Sequence, residues 1–164
     1  MKGKNTGPFL FVLLGALTAF GPFVTDMYLP SLPSMVGYFN TQASMVQLGL
    51  TSSMIGLALG QLFFGPLSDR YGRRSPLLAA MALFIVSTVC CLLSTSIESF
   101  IFFRLIQGVA GAGGIVVSRS IATDLFTGKD LAKAMAIIGA INGVAPVASP
   151  VLGGFPVSYT HLRA

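Results

Sequence analysis

The chain has 164 residues, of which 54% are apolar and 9% charged, and its formal net charge is +5. A soluble globular chain carries about 25% charged residues. With a mean hydropathy of +0.82, this composition excludes an ordinary soluble enzyme or a nucleic-acid-binding domain and points to a polytopic membrane protein.

Five apolar runs are long enough to cross a bilayer, which takes roughly 17–25 residues as a helix. They cover residues 9–29, 45–67, 76–93, 100–117 and 134–155. The runs are continuous rather than alternating, so they read as helices and not as strands of a barrel. A chain of this length offers no soluble exterior that could surround five buried core helices. Lys2 and Lys4 before the first run resemble the start of a signal peptide, but the apolar stretch is too long for one and four more runs follow.

The first run ends in Thr25-Asp26-Met27-Tyr28-Leu29-Pro30-Ser31-Leu32-Pro33. Two prolines three apart end or kink a helix. Asp26 is the one acid inside an apolar run. It either caps the end of the span or faces a polar cavity. The second run carries Gly49, Gly56, Gly60 and Gly65. Gly56 and Gly60 make a small-xxx-small face suited to close helix approach. The loop after it reads Gly65-Pro66-Leu67-Ser68-Asp69-Arg70-Tyr71-Gly72-Arg73-Arg74. Gly65 and Gly72 are expected to allow close approach and a tight turn, and Asp69 to cap a helix or pair with an arginine.

In the third run Cys90 and Cys91 are adjacent, so they point apart on a helix and indicate neither a disulfide nor a metal site. The fourth run contains Arg104 with Gln107 three residues on, which puts both on one helix face. An arginine at the centre of a membrane helix costs about 2.5–3.5 kcal/mol on insertion scales and is normally kept for a task. The alternative is a side chain that snorkels to the nearer interface. Gly108, Gly111, Gly113 and Gly114 follow. The fifth run contains Pro146, Pro150, Gly153 and Gly154. Residues 156–164 are polar and proline-broken and read as a non-native or truncated tail. His161 has no ligand partner near it in sequence.

Eight of the ten basic residues sit in the N-terminal segment or in the loops after the second and fourth runs, Arg119, Lys129 and Lys133 among them. The segments 30–44 and 94–99 have no Lys or Arg. By the positive-inside rule this puts the N-terminus in the cytoplasm.

The 65–74 segment resembles motif A of the major facilitator superfamily, G-x-L-x-D-R-x-G-R-R/K, at every defined position. Arg104-Leu105-Ile106-Gln107-Gly108 resembles the superfamily's motif B. Residues 149–154 resemble the end of motif C, which marks antiporters, with Ser149 where a glycine is usual. The residues from Asp26 to Pro33 are similar to the span-one signature of the bicyclomycin-resistance (Bcr/CflA) drug-efflux family.

The resemblance covers the chain from about Phe9 to Gly154 and implies an all-α membrane fold: five helices of the N-terminal six-helix half of a twelve-helix transporter. It implies proton-driven multidrug efflux by alternating access at the bacterial inner membrane, with no cofactor beyond the proton gradient. The expected partners are a drug-like small molecule, protons, the bilayer and the missing C-terminal half, but no nucleic acid. Asp26, Arg104 and Gln107 are the residues implied in proton coupling or substrate binding. Gly65, Asp69, Arg70, Gly72, Arg73 and Arg74 would gate at motif A, and Pro146, Pro150, Gly153 and Gly154 would shape the motif C kink. Five helices would give a fragment inactive by itself. The rival readings are an uptake symporter of the same superfamily and a small non-transporting membrane protein.

Overall fold

A computed structural model describes residues 8–26 and 28–161; of these, the side chains of 8, 9, 20, 22–25 and 150–161 are outside the description. Helix α1 spans Pro8–Asp26. A single 3-10 turn, Leu29–Ser31, leads into the short α2, Leu32–Tyr38. Pro30 and Pro33 each stand in the first turn of their element, where a missing N–H costs nothing. Then come α3 (Ala43–Tyr71), α4 (Arg74–Leu92), α5 (Ile97–Leu125) and α6 (Gly128–His161). Among the described residues the architecture is all helical.

The helices α3, α4, α5 and the Gly128–Ser149 part of α6 are long and apolar enough to cross a membrane. Helix α1 adds 19 residues, about 28 Å at 1.5 Å per residue, although its described apolar stretch covers only Leu10–Ala19. The apolar runs of the sequence mark the helices but not their ends: the first run, 9–29, overshoots α1, which ends at Asp26, while others stop short. Helix α5 runs eight residues beyond Val117, so Arg119 lies inside a helix rather than in a loop. Nothing between Ser118 and Leu125 breaks a helix; the hydropathy edge there records polarity and not a change of backbone. Helix α6 likewise continues past 155 to His161.

Helix α5 is the centre of the bundle and packs against α1, α3, α4 and α6. Its small residues make this possible. A methyl group added at Gly56 of α3 would run into the Leu105 carbonyl of α5, and one added at Gly108 of α5 would run into the Ser53 carbonyl of α3. The two backbones therefore meet without intervening side chains, as the glycine face predicts. The Ser52 hydroxyl donates to the Ile101 carbonyl at 2.8 Å across the same seam.

Three apolar clusters hold the bundle, and α5 contributes to each. Leu14, Ala122, Phe126, Ala134 and Ile138 join α1, α5 and α6. Phe64, Ala80 and Ala112 join α3, α4 and α5. Tyr28, Val46, Ile97 and Phe100 close the end of the bundle nearest Ser94. Leu78, Ile85, Val86 and Val89 of α4 and Leu62 and Phe63 of α3 point outward and are exposed, as lipid-facing residues are.

Candidate functional site: two cavities and an arginine clasp

The sequence-predicted residues fall into three places. Arg104 lies seven residues beyond Ile97, the first residue of α5, about 10 Å along the helix axis. It is 5% exposed. Its Nη1 donates to Gln107 Oε1 at 2.7 Å, and Gln107 Nε2 donates to Thr88 Oγ1 at 2.7 Å. The Thr88 hydroxyl passes the chain on to the Phe84 carbonyl at 2.7 Å. On its other side the guanidinium carbon stands 4.5 Å from the centre of the Tyr28 ring, a cation–π contact in a low-dielectric setting. Tyr28 is itself anchored, because its hydroxyl donates to the Val46 carbonyl at 2.9 Å. Arg104 is thus a buried arginine tied to α4 and to the segment after α1, not one reaching for an interface. It lines a cavity of about 700 Å³ together with Tyr28, Phe39, Thr88, Cys91, Phe100 and Gln107.

Asp26 lies elsewhere. It ends α1, is partly buried, and lines a second cavity of about 350 Å³ between α1, α3, α5 and α6. Gln61, Arg119 and Asn142 supply the other polar side chains of this cavity; Gly21, Leu57, Ile115 and Pro146 complete most of its wall. The two cavities share no lining residue. Asp26 and Arg104, both implied by the resemblance in proton coupling or substrate binding, therefore line different cavities, and the basic residue lining the cavity of Asp26 is Arg119.

Motif A forms a clasp at the opposite end from Ser94. Arg73 Nε and Nη2 grip Asp124 Oδ2 and Oδ1 at 2.8 and 3.2 Å, while Nη1 reaches Asp69 Oδ1 at 2.7 Å and Ser68 Oγ at 2.8 Å. The bidentate fork is the geometry that suits arginine and carboxylate. The carboxylates of Asp124 and Asp69 hold the Arg73 guanidinium protonated well above its ordinary range. The clasp ties the α3–α4 turn to the end of α5. Asp124 was missed in the sequence because it lay outside the motif, in a stretch taken for loop.

Gly72 carries the turn with φ 78° and ψ 172°, a region essentially reserved for glycine. Gly65 faces open space, so in this chain it makes no close approach. Arg70 sits 5.5 Å from the Tyr71 ring centre, and Arg74 opens α4. Of the motif C residues, Pro146 lines the Asp26 cavity. The surroundings of Pro150, Gly153 and Gly154 lie outside the described residues, as do those of His161. Among the described residues, no three His, Cys, Asp or Glu side chains come together as a metal site would need.

Membrane-length helices around a glycine-seamed central helix, with buried charge facing cavities, define a class: polytopic α-helical membrane proteins. Residues 12–164 match the sequence pattern of the Major Facilitator Superfamily, and the chain belongs to that family. The family consists of transporters and not of enzymes.

The chain is 44% identical over 145 residues to the MFS-type transporter YdgK of Bacillus subtilis, covering 88% of the chain and 36% of that protein. It is 36% identical over 165 residues to a bicyclomycin resistance protein homolog of Haemophilus influenzae, covering 98% of the chain and 41% of the relative. It is 34% identical over 140 residues to a chloramphenicol resistance protein of Pseudomonas aeruginosa, covering 85% and 33%. The chain spans about two fifths or less of the length of these curated relatives.

Proposed function

We propose that this chain forms part of a proton-driven drug-efflux transporter of the Bcr/CflA type, set in the bacterial inner membrane with its N-terminus in the cytoplasm. The observation that carries the reading is the Asp26 cavity. One carboxyl, one guanidinium and two amides line an otherwise apolar recess where four helices meet. An ionisable residue within a membrane bundle is a functional candidate by default. A carboxyl there can exchange a proton for a substrate group, while Arg119, Gln61 and Asn142 give the substrate hydrogen-bonding partners.

Deprotonated, Asp26 receives either a proton or the drug; the two compete for one site, which is the essence of antiport. Arg104, braced by Gln107, adds a buried positive charge to the bundle at the other cavity. The Arg73 clasp would serve as part of the gate on the cytoplasmic side, released and remade as the transporter alternates access. The names of the Haemophilus and Pseudomonas relatives, together with Multidrug resistance protein D of Escherichia coli at 29% identity, support drugs as the cargo. A second set of helices, as in the longer relatives, would supply the facing wall of the cavity.

Expression of the encoding gene in an efflux-deficient bacterial host tests the reading. Cells should accumulate less bicyclomycin or chloramphenicol than controls, and a protonophore should abolish the difference. Asp26→Asn should raise accumulation to the control level. Unchanged accumulation in every case would remove the efflux claim.

A further inference from the structure

The outer face of α3 ends in a groove that joins an apolar floor to a charge. Leu62, Phe63, Pro66, Leu67, Arg70 and Tyr71 line a recess of about 330 Å³. Their spacing is i, i+1, i+4, i+5, i+8 and i+9, which is two neighbouring ridges on one helix face. Every one of these residues is exposed. From Leu62 to Arg70 the groove covers about 12 Å along the helix axis. Its inner part is apolar. Its outer part, at the end of α3, holds a guanidinium beside a phenol.

That guanidinium is not neutralised from within the bundle. Asp69 and Asp124 are both engaged by Arg73. Among the described residues no carboxylate forms an ion pair with Arg70. The Arg70 guanidinium carbon stands 5.5 Å from the centre of the Tyr71 ring. A guanidinium resting on a ring keeps its N–H edge free to fork onto a phosphate.

From this we infer that the groove binds one anionic phospholipid, with the phosphodiester at Arg70 and an acyl chain along Leu62, Phe63, Pro66 and Leu67. The polarity of the groove is that of the lipid: hydrocarbon toward the bilayer centre, anion at the helix end. Tyr71 stands where an interfacial aromatic belongs. One basic residue close to the membrane surface is worth roughly a fivefold gain in affinity for anionic lipid. A zwitterionic lipid carries its own cation to the same place and gains less. A protein helix laid over this face would have to bring an acid of its own or leave Arg70 buried without one. The inference rests on α3 crossing the bilayer and not on efflux.

Native mass spectrometry of the protein encoded by this gene, released from neutral detergent micelles, counts bound lipids and tests the site. The protein is titrated with dioleoyl phosphatidylglycerol and with dioleoyl phosphatidylcholine. The first phosphatidylglycerol should bind about fivefold more tightly than the first phosphatidylcholine. Arg70→Gln should erase that preference, and Arg70→Lys, which keeps the charge, should retain most of it. Lys129→Gln removes an exposed cation from the same end of the bundle but away from the groove, and should leave the preference intact. Phe63→Asn, on the exposed apolar wall, should weaken both lipids several-fold without changing their ratio.

Four results would overturn the site. The two lipids could bind alike, or Lys129→Gln could lower phosphatidylglycerol binding as much as Arg70→Gln, which would reduce the effect to diffuse charge. Water-soluble glycerophosphoglycerol could compete as well as the lipid, which would leave the groove no part. The parent protein could retain no lipid at all, which would show that protein covers this face. Loss of efflux in any of these variants bears on the transport proposal alone, because lipid binding is read without it.

Discussion

Arg104 is held by groups from two other elements: Thr88 of α4 through Gln107, and Tyr28 just beyond α1 through its ring face. Gln107 is the hinge of that arrangement, because it accepts from the arginine and donates to the threonine. Gln107→Leu should therefore destabilise the purified protein by about 2 kcal/mol, the range for a buried hydrogen bond to a charged group. Thr88→Val removes only the outer bond and should cost about 1 kcal/mol. Reversible unfolding in mixed detergent micelles measures both; equal and negligible effects would show that the network is not structural.

Gly72 offers a second test at this scale. Its backbone angles are near the glycine-only region, and an alanine there should cost about 1–3 kcal/mol, with Gly65→Ala, which meets nothing within 4 Å, as the comparison. Arg104, Gln107, Gly72 and Arg73 were legible in the sequence because each breaks a local pattern or belongs to a tight motif. Arg119, Asp124 and Thr88 were not. Each becomes informative only when the fold brings another helix to it, and sequence spacing carries no record of that.

At the scale of elements, the α3–α5 seam decides the packing. Gly56 and Gly108 sit on opposite sides of it, each against the backbone of the other helix. Gly108→Ala leaves hydropathy and helix propensity no worse, yet it should destabilise the bundle by about 1–3 kcal/mol through overpacking against rigid backbone. The same change at Gly139, which meets nothing within 4 Å, should be neutral or slightly stabilising. Thermal unfolding of the two variants side by side checks the contrast.

The helices themselves were readable from their apolar runs. Their ends were not, because a membrane helix continues into the polar interface until a cap or a breaker stops it. Helix α5 stops before Thr127-Gly128, and Gly128 has φ 56°, a left-handed conformation that suits glycine between helices.

At the scale of the whole molecule, one end of the bundle gathers Arg70, Arg73, Arg74, Lys129 and Lys133, while the other presents Ser31, Asn40, Ser94 and Ser96. That asymmetry is the basis for placing the Arg73 end in the cytoplasm. Single cysteines at Asn40 and at Lys129, in a background with Cys90 and Cys91 replaced, should react with a membrane-impermeant maleimide from outside and from inside respectively. The reverse pattern would invert every assignment of sidedness.

The resemblance between this sequence and a transporter half told the fold well, since its motifs are short and local. It told the site less well. Which buried charges share a cavity depends on how five long helices are rotated about their own axes.

The most direct test of the central claim is proton release on drug binding by the protein encoded by this gene, purified in weakly buffered detergent with a pH indicator. If Asp26 is the group for which drug and proton compete, adding chloramphenicol or bicyclomycin across a series of pH values should release up to one proton per site at some of them, and Asp26→Asn should bind without releasing any. Equal proton release from the parent and the Asp26→Asn protein would contradict the account.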